Sequence, residues 1–528
     1  MRTYFLLSII PILGGTFALG HYLNEAFWYL YLLELPIFAL GIRDTFQKQH
    51  TILRNYPVLG HFRYLLEEIR PELQQYFIER FDDGRPFSRE KRSVVYQRAK
   101  GEIDTSAFGT QHDLYESGTE WLEHSIITTK MEISEDRITV GSNKCKKPYS
   151  CSRLNISAMS YGSLSKNAVM ALNWGAQLGG FYHNTGEGSI SSYHEKYKGD
   201  LVWQIGTGYF GCRDENGKFS SEMFEKKASL DQVKMIELKV SQGAKPGHGG
   251  LLPGKKVNEE IAKIRAVKVG EDVHSPSSHS AFSTPKELIL FLDKLRDLSG
   301  GKPVGFKFCV GKKSEFYSIC KAMLELNIYP DFITVDGAEG GTGAAPREFT
   351  NSLGTPLNDG LNFVNNTLIG CGLREHIKII ASGKIVDAFD MVRKFALGAD
   401  ICNSARAMMM AVGCIQALRC NSNDCPAGIA TQDPSLYKFV DVTSKAKRVA
   451  RYHKATLEEL HNLCSAAGVT TIKCLKKQHI RRRLGPGEIS SYRKIYPNFE
   501  KNSLLDNSCE QRFQKLWDST TAESFKTL

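Results

Sequence analysis

The sequence predicts an α/β protein built on a (β/α)8 TIM barrel, with an N-terminal hydrophobic hairpin and a helical cap. Three observations predict it. Eight short β-rich runs recur between Asn155 and Ser404, a helical stretch follows each, and the glycine-rich and polar segments fall just past the carboxyl ends of the runs. Strands that alternate with helical segments are joined by crossovers and so run parallel. Eight of them in about 250 residues is the count and size of a closed barrel. An open doubly wound sheet has the same local pattern and is the alternative. At 528 residues and 42% hydrophobic content the chain can hold such a domain and smaller appendages.

In chain order, residues 1–45 come first, with apolar stretches over 4–19 and 26–42. Each falls a little short of the roughly 20 residues that span a bilayer, and a few flanking residues make up the difference. Pro11, Gly14, Gly15 and Pro36 weaken soluble helices but are tolerated in membranes, whereas Glu34 is costly in hydrocarbon unless it snorkels or pairs. Arg2 precedes the first stretch, the connector 21–25 has no Lys or Arg, and Arg43, Lys48 and Arg54 follow the second. The positive-inside rule then puts both ends, and the rest of the chain, on the cytoplasmic side of the inner (cell) membrane. A cleaved signal peptide, with a small-x-small site at Ala18 and Gly20, and a buried soluble hairpin are the other readings.

Residues 46–150 read as an N-terminal helical and mixed cap. Phe62, Leu65, Leu66, Ile69, Leu73 and Phe77 fall at helix-face spacing around Pro71, which predicts a packing helix over 61–80. Residues 151–432 hold the barrel. Its strands are expected at 155–161, 181–185, 201–206, 235–241, 304–310, 332–336, 377–382 and 400–404. Residues 433–528 read as a C-terminal helical extension that contains the basic knot Arg481-Arg482-Arg483.

Charge and cysteine usage narrow the function. The 68 Lys and Arg against 57 Asp and Glu leave +11, scattered apart from that knot. Such a balance suits an anionic substrate, an acidic electron donor or an anionic membrane surface, and it is too diffuse for nucleic acid. Thirteen cysteines form no dense secreted-type framework, and most sit singly in apolar runs, as Cys309, Cys371 and Cys402 do. That pattern fits a reducing compartment and inert core thiols.

Five polar, glycine-rich segments, 184–188, 242–250, 337–343, 382–384 and 403–406, lie at or just past the carboxyl ends of the strands, on one rim of the expected barrel. Asp336 to Gly343 is a run of backbone that can approach a phosphate closely, because glycine removes the Cβ and exposes N–H groups. With Ala405 and Arg406 after the eighth strand it matches the place where such barrels commonly hold phosphate; taken alone it would pass as a flexible loop. Lys307 sits mid-strand in an apolar run, so its ammonium either meets an anion inside the barrel or turns outward to a helix. The stretch from Gln242 to Lys256 crowds glycines around Lys245, and with Arg265 it could grip a dicarboxylate at both ends; a mobile surface loop is the bland alternative. His248 in that stretch reads as a turn residue. Cys414-x5-Cys420-x4-Cys425-Pro426 places three thiols where they can ligate iron; zinc is the competing metal, but the spacing lacks paired C-x2-C.

On these residues the chain resembles the FMN-binding glutamate synthase family, and more closely its short, membrane-tethered members. The resemblance covers roughly 155–432 through SAMSYGSLS, NTGEGS, QGAKPGHGGLLPGKKV, DGAEGGTGAAP and CIQALRCNSNDCPAGIATQ. It implies a barrel with FMN on its rim and a 3Fe-4S cluster on Cys414, Cys420 and Cys425. It implies that Met159, Ser160, Gln242, Lys307, Gly340, Gly341, Thr342, Gly383, Ala405 and Arg406 surround the flavin. It further implies that Glu187, Lys245 and Arg265 meet 2-oxoglutarate, which with ammonia becomes L-glutamate as electrons pass from the cluster to FMN.

Departures from the family pattern qualify this. The chain opens Met1-Arg2-Thr3, with no N-terminal cysteine nucleophile for a glutaminase, so ammonia is expected to be free or supplied by a partner. Where large synthases read EGGQLPG, this chain reads HGGLLPG, and Leu251 replaces a polar substrate contact. A different oxo acid or imine as acceptor, and a membrane-bound electron-transfer subunit without its own substrate, are therefore the competing functions. No G-x-G-x-x-G opens a nucleotide-binding unit, so ferredoxin or a separate reductase is the expected donor. Homo-oligomerisation is left open.

Overall fold

The computed structural model describes residues 1–141 and 144–527, which form two compact units, Met1–Pro86 and Phe87–Leu528.

The first unit is helical. Helices Arg2–Tyr22 and Tyr31–Phe46 are linked by the 3-10 turn Glu25–Leu30. The two helices approach closely where glycine allows it. A Cβ on Gly41 would sit 1.9 Å from the Phe5 ring, and one on Gly20 would sit 2.8 Å from Trp28. Glu34 does pair, accepting from Thr16 Oγ1 at 2.6 Å, and Tyr31 donates to Leu13 O at 2.7 Å. Arg2–Tyr22 and Glu25–Phe46 are each long and apolar enough to cross a membrane. Helix His61–Leu73 then runs through Pro71 into a π-turn, Gln74–Ile78. Its apolar residues share one face as expected, but none is buried, so the expectation of a packing helix does not hold. The helical spacing is right and the cover it implies is missing.

The second unit contains a closed eight-stranded barrel. Its strands are Leu154–Ile156, His183–Asn184, Leu201–Ile205, Val233–Lys239, Val304–Phe308, Phe332–Asp336, Lys378–Ser382 and Ile401–Ser404. Each pairs in parallel with the next, and Cys402 to Ser404 close the ring against Leu154 to Ile156. All eight lie within or beside the expected runs. The antiparallel pair Arg137–Val140 and Tyr149–Ser152 joins Tyr182, Val202, Met235, Phe332, Ile380 and Ile401 in one apolar cluster.

Strand alternation carries that apolar cluster into a polar layer and then a charged one. Two residues on from Tyr182, Val202, Met235 and Phe332 lie Asn184, Gln204, Glu237 and Thr334, on the same face of each strand. Glu237, fully buried, accepts from Asn184 Nδ2, Gln204 Nε2 and Thr334 Oγ1 at 2.6 to 2.9 Å, which satisfies its charge without a cation. Two residues further on lie Lys239 and Asp336. The interior therefore grows more polar toward the carboxyl rim, where the glycine loops emerge.

Two elements brace the barrel from outside. In the cap helix Arg89–Lys100, Lys91 pairs with Asp387 and Asp390 at the start of helix Ala388–Ala396. The long helix Val442–Ala466 packs on Lys166–Gly179, where Gly175 makes room for Val449. The C-terminal extension is not wholly helical. Arg481, Arg482 and Arg483 lie in strand Ile480–Gly485, paired on one side with Glu120–Leu122 and on the other with Glu488–Ser491. Cross-strand carboxylates select the strand, with Arg481 on Glu123 at 2.7 Å and Arg482 beside Glu120 at 3.8 Å.

Candidate functional site

A cluster of charges lies at the carboxyl rim, with Lys245 and Arg265 buried and Glu187 and Lys239 half-buried. Glu187, in the loop after the second strand, receives Lys239 Nζ at 2.9 Å, and the same ammonium reaches Gln242 Oε1 at 3.1 Å. Lys245 is buried and donates to Ala344 O at 3.0 Å. Arg265, the last residue of helix Glu259–Arg265, is buried with Nη2 on Tyr161 O at 2.8 Å, while its Nε has no partner among the described residues. The bare faces of Gly162 and Gly188 leave the space that this guanidinium fills.

The electrostatics follow from burial and mutual charge. Burial alone would raise the Glu187 carboxyl, but Lys239, Arg265 and Lys245 outweigh it and hold the group below the usual range. Burial, aided by Lys239 and opposed by Glu187, lowers Lys245 to about 8. Burial lowers Arg265 to about 10 against the pull of Glu187. Three cations thus face one carboxylate, leaving two positive charges over and one unpaired guanidinium N–H. A dianion is the ligand that balances this. Glu187, Arg265 and Ser160 also line a small cavity of about 20 Å³, for which Phe210, Leu251 and Val273 supply an apolar wall.

Beside it lies an anion cradle. Lys307 faces inward and meets Asp336 Oδ1 at 3.3 Å, so the outward alternative is absent; Asp336 also accepts from Gly243 N at 2.8 Å. Gly383, at φ +147°, and Gly337 bring their backbones within contact, and a Cβ on Gly243 would meet Gly337 O at 1.9 Å. Gln242 Nε2 reaches Gly341 O at 3.4 Å. Gly340 lies between Glu339 and Gly341 in the same loop, and Thr342 Oγ1 accepts from Ala344 N. Ala405 caps helix Arg406–Val412. Arg406 is sunk against Gly341 and lies 4.6 Å from the Phe87 ring centre, with Nη2 on Glu339 O. Burial lowers it to about 10 against the pull of Asp336 and Glu339, though among the described residues no carboxylate comes within ion-pair distance of it. A half-buried guanidinium beside bare glycine backbone fits a phosphate. Met159 and Ser160 follow the first strand, with Ser160 packed on Gly186.

The cysteine loop adjoins this cradle. A Cβ on Gly343 would sit 3.2 Å from the Cβ of Cys420. Cys414 and Cys420 are half-buried and Cys425 is buried. Burial, with Cys420 and Cys425 nearby, pushes the Cys414 thiol up to about 12, and burial beside Cys425 raises Cys420. Among the described residues no three His, Cys, Asp or Glu side chains converge on a single metal ion. The donor set, three thiols and no imidazole or carboxylate, suits a sulfide-bridged iron centre better than one hard cation.

Two members of the rim escaped the sequence reading. Lys239 ends the fourth strand and looks there like an ordinary charged strand residue, while Asp336 stands out only as the head of a glycine run. The alternations Met235-x-Glu237-x-Lys239 and Phe332-x-Thr334-x-Asp336 are the signal that finds both, since they place charge on the inward face. His248 bonds only the neighbouring Gly249 O and packs on Phe349, as a turn residue does.

Known proteins are similar to this chain in sequence. A family model described as a conserved region in glutamate synthase matches residues 99–470. The glutamate synthase large subunit-like protein YerD of Bacillus subtilis is 40% identical over 501 residues, 87% of this chain and 95% of that protein. The archaeal glutamate synthase (NADPH) of Methanocaldococcus jannaschii is 35% identical over 329 residues, 62% of this chain. The match spans 61% of that protein's own length. A glutamate synthase large subunit-like protein of Rhizobium meliloti is 28% identical over 367 residues, 66% of this chain and 79% of its own.

Proposed function

Because the chain belongs to the glutamate synthase family, we propose that it is an FMN- and 3Fe-4S-dependent oxidoreductase that reductively aminates 2-oxoglutarate to L-glutamate. Ammonia arrives free or from a partner, and electrons come from ferredoxin or a separate reductase. The observation that carries the substrate class is the rim cluster, three cations against the single carboxylate of Glu187.

Arg406, Gly340, Gly341, Thr342, Gly383 and Ala405 would hold the FMN phosphate, with Met159, Ser160, Gln242 and Lys307 around the ring. Cys414, Cys420 and Cys425 would hold the cluster. When bound, FMN supplies a hydride and the cluster supplies single electrons. The protein's own residues do the rest. Lys245 and Arg265 bind the two carboxylates of the oxo acid and fix its orientation. Lys239 keeps Glu187 ionised, so its free oxygen can accept an N–H from ammonia or from the iminium formed with the oxo acid. Phe210, Leu252 and Val273 wall the cavity and exclude water.

Leu251 favours a second reading. It puts an apolar side chain on the cavity wall, which would suit another oxo acid or imine at the same charged rim. The hairpin over residues 1–45 is read as an anchor in the inner membrane, with the barrel on its cytoplasmic side.

The test is to reduce the purified enzyme anaerobically, add 2-oxoglutarate and ammonium, and follow flavin absorbance. Reoxidation with one glutamate formed per flavin supports the first reading. Reoxidation by other oxo acids alone supports the second, and a protein that holds no flavin refutes both.

A further inference from the structure

Lys256 stands at the end of the same glycine-rich loop as Lys245, and no role above uses it. Its side chain is 2% exposed, whereas its neighbour Lys255 is exposed. Its Nζ donates to three backbone carbonyls from three segments: Cys420 O at 2.7 Å, Ala430 O at 2.8 Å and Ser163 O at 3.4 Å. Three acceptors match the three N–H donors of an ammonium; a neutral amine has only two. Among the described residues no carboxylate lies within ion-pair distance of it. A buried cation bonded only to carbonyl dipoles, with Asp424 acting on it from beyond ion-pair distance, lacks a close anion, and such a charge is expensive unless one is supplied. The nearest side chains able to supply it are those of the cysteine loop, once their thiols become thiolates around iron and sulfide.

We propose that Lys256 is a fixed positive charge that raises the reduction potential of the iron–sulfur centre and pins the cysteine loop to the substrate loop. This rests on the cluster assigned above to Cys414, Cys420 and Cys425. The sign is set by Coulomb's law: reduction adds an electron to the centre, and a cation buried beside it favours that electron more than water would. Because Lys245 grips Ala344, Gly343 abuts Cys420 and Cys420 accepts from Lys256, the substrate loop, the glycine run and the cysteine loop form one connected ring at the rim.

The test is a spectroelectrochemical titration of the holoenzyme, read from the cluster's visible absorption and its electron paramagnetic resonance. Lys256→Gln keeps N–H donors for two carbonyls but discards the charge, so the test stands on it even where Lys256→Met fails to fold. Either variant is expected to move the cluster midpoint to more negative potential by tenfold or more in its electron equilibrium, which is 59 mV for one electron. Lys256→Arg keeps the charge and is expected to stay near wild type, as is the exposed control Lys255→Met. A cluster of unchanged midpoint in Lys256→Gln overturns the proposal, and so does a shift in Lys256→Arg as large as in Lys256→Gln, which would make the effect one of packing. A wild-type protein with no iron–sulfur spectrum instead removes the cluster assignment itself.

Discussion

In the unit Met1–Pro86, Leu7, Ile10, Leu32 and Phe77 expose 67%, 81%, 75% and 81% of their surface; in Phe87–Leu528, Ile236, Leu238, Phe306 and Ile379 expose none. The residue types are the same, so type alone does not set their fate. In the barrel, apolar side chains leave water for a common core, at about 25 cal/mol for each Å² removed. In the first unit the helices satisfy their own backbones and turn their apolar faces outward, and the interior acid Glu34 is bonded to Thr16. Soluble proteins rarely display apolar surface on this scale. The difference teaches that residue type does not settle burial, and it is the one expected of the membrane anchor proposed above, with the exposed stripe of His61–Leu73 suited to an interface.

The hardest test of this comparison is to charge the hairpin. An arginine at the centre of a spanning helix costs roughly 2.5–3.5 kcal/mol, so Ile10→Arg with Leu35→Arg is expected to move the protein from the membrane pellet to the supernatant. Wild-type protein that already stays in the supernatant without detergent would break the comparison. A smaller effect sharpens it. Leu238→Ala, in the barrel wall, is expected to lose about 2–5 kcal/mol of unfolding free energy. Leu32→Ala, measured in detergent, is expected to change it by no more than about 0.5 kcal/mol. Equal losses would mean that the first unit buries its leucines after all.

The two regions also differ in how much the sequence disclosed. The eight barrel strands were legible because each is a short apolar run closed by glycine or polar residues. Their ends were less so: the run 155–161 pairs only over Leu154–Ile156, since the residues beyond leave the ladder to form the rim loop. The glycine run and the cysteine triplet were legible from composition. The bond from Lys239 to Glu187 was not, because it joins residues 52 apart and exists only once the barrel closes. Likewise, three consecutive arginines carry no periodicity, and the partner that draws Arg481 into a strand, Glu123, is 358 residues away. For the first unit the sequence showed helical spacing, but spacing cannot say whether an apolar face meets protein or lipid.

Within the second unit, the rim cluster is where charge, rather than apolar surface, awaits a partner. Lys245→Met is expected to keep the flavin spectrum and lose roughly 1.5–3 kcal/mol of oxo-acid binding, the worth of a charge-assisted contact. Titration of 2-oxoglutarate against the oxidised enzyme reads it, and unchanged affinity would remove Lys245 from the site.

The smallest effect is one of pH, and its sign follows from the same residue. Lys245 is lowered to about 8 from an ordinary value of 10.5 by burial and by Lys239, with Glu187 pulling the other way. Between those two values the folded protein binds fewer protons here than the unfolded chain, so this group's contribution to stability rises as pH increases from about 8 to 10.5. Below about 8 both states are protonated, and the cost of burying the charge is borne in full. Ligand binding runs the opposite way. A dianion needs the ammonium, so affinity should be level below about pH 8 and fall above it, by up to tenfold per pH unit. A bound dianion raises the Lys245 pKa, so complex formation near pH 8 should take up protons, which calorimetry in buffers of different ionisation enthalpy measures. Lys245→Arg stays charged throughout this range and should abolish the alkaline fall. If affinity in the wild type stays level to pH 9.5, Lys245 does not face the ligand as a titrating cation, and the rim cluster loses the member that ties it to the cysteine loop through Ala344 and Gly343.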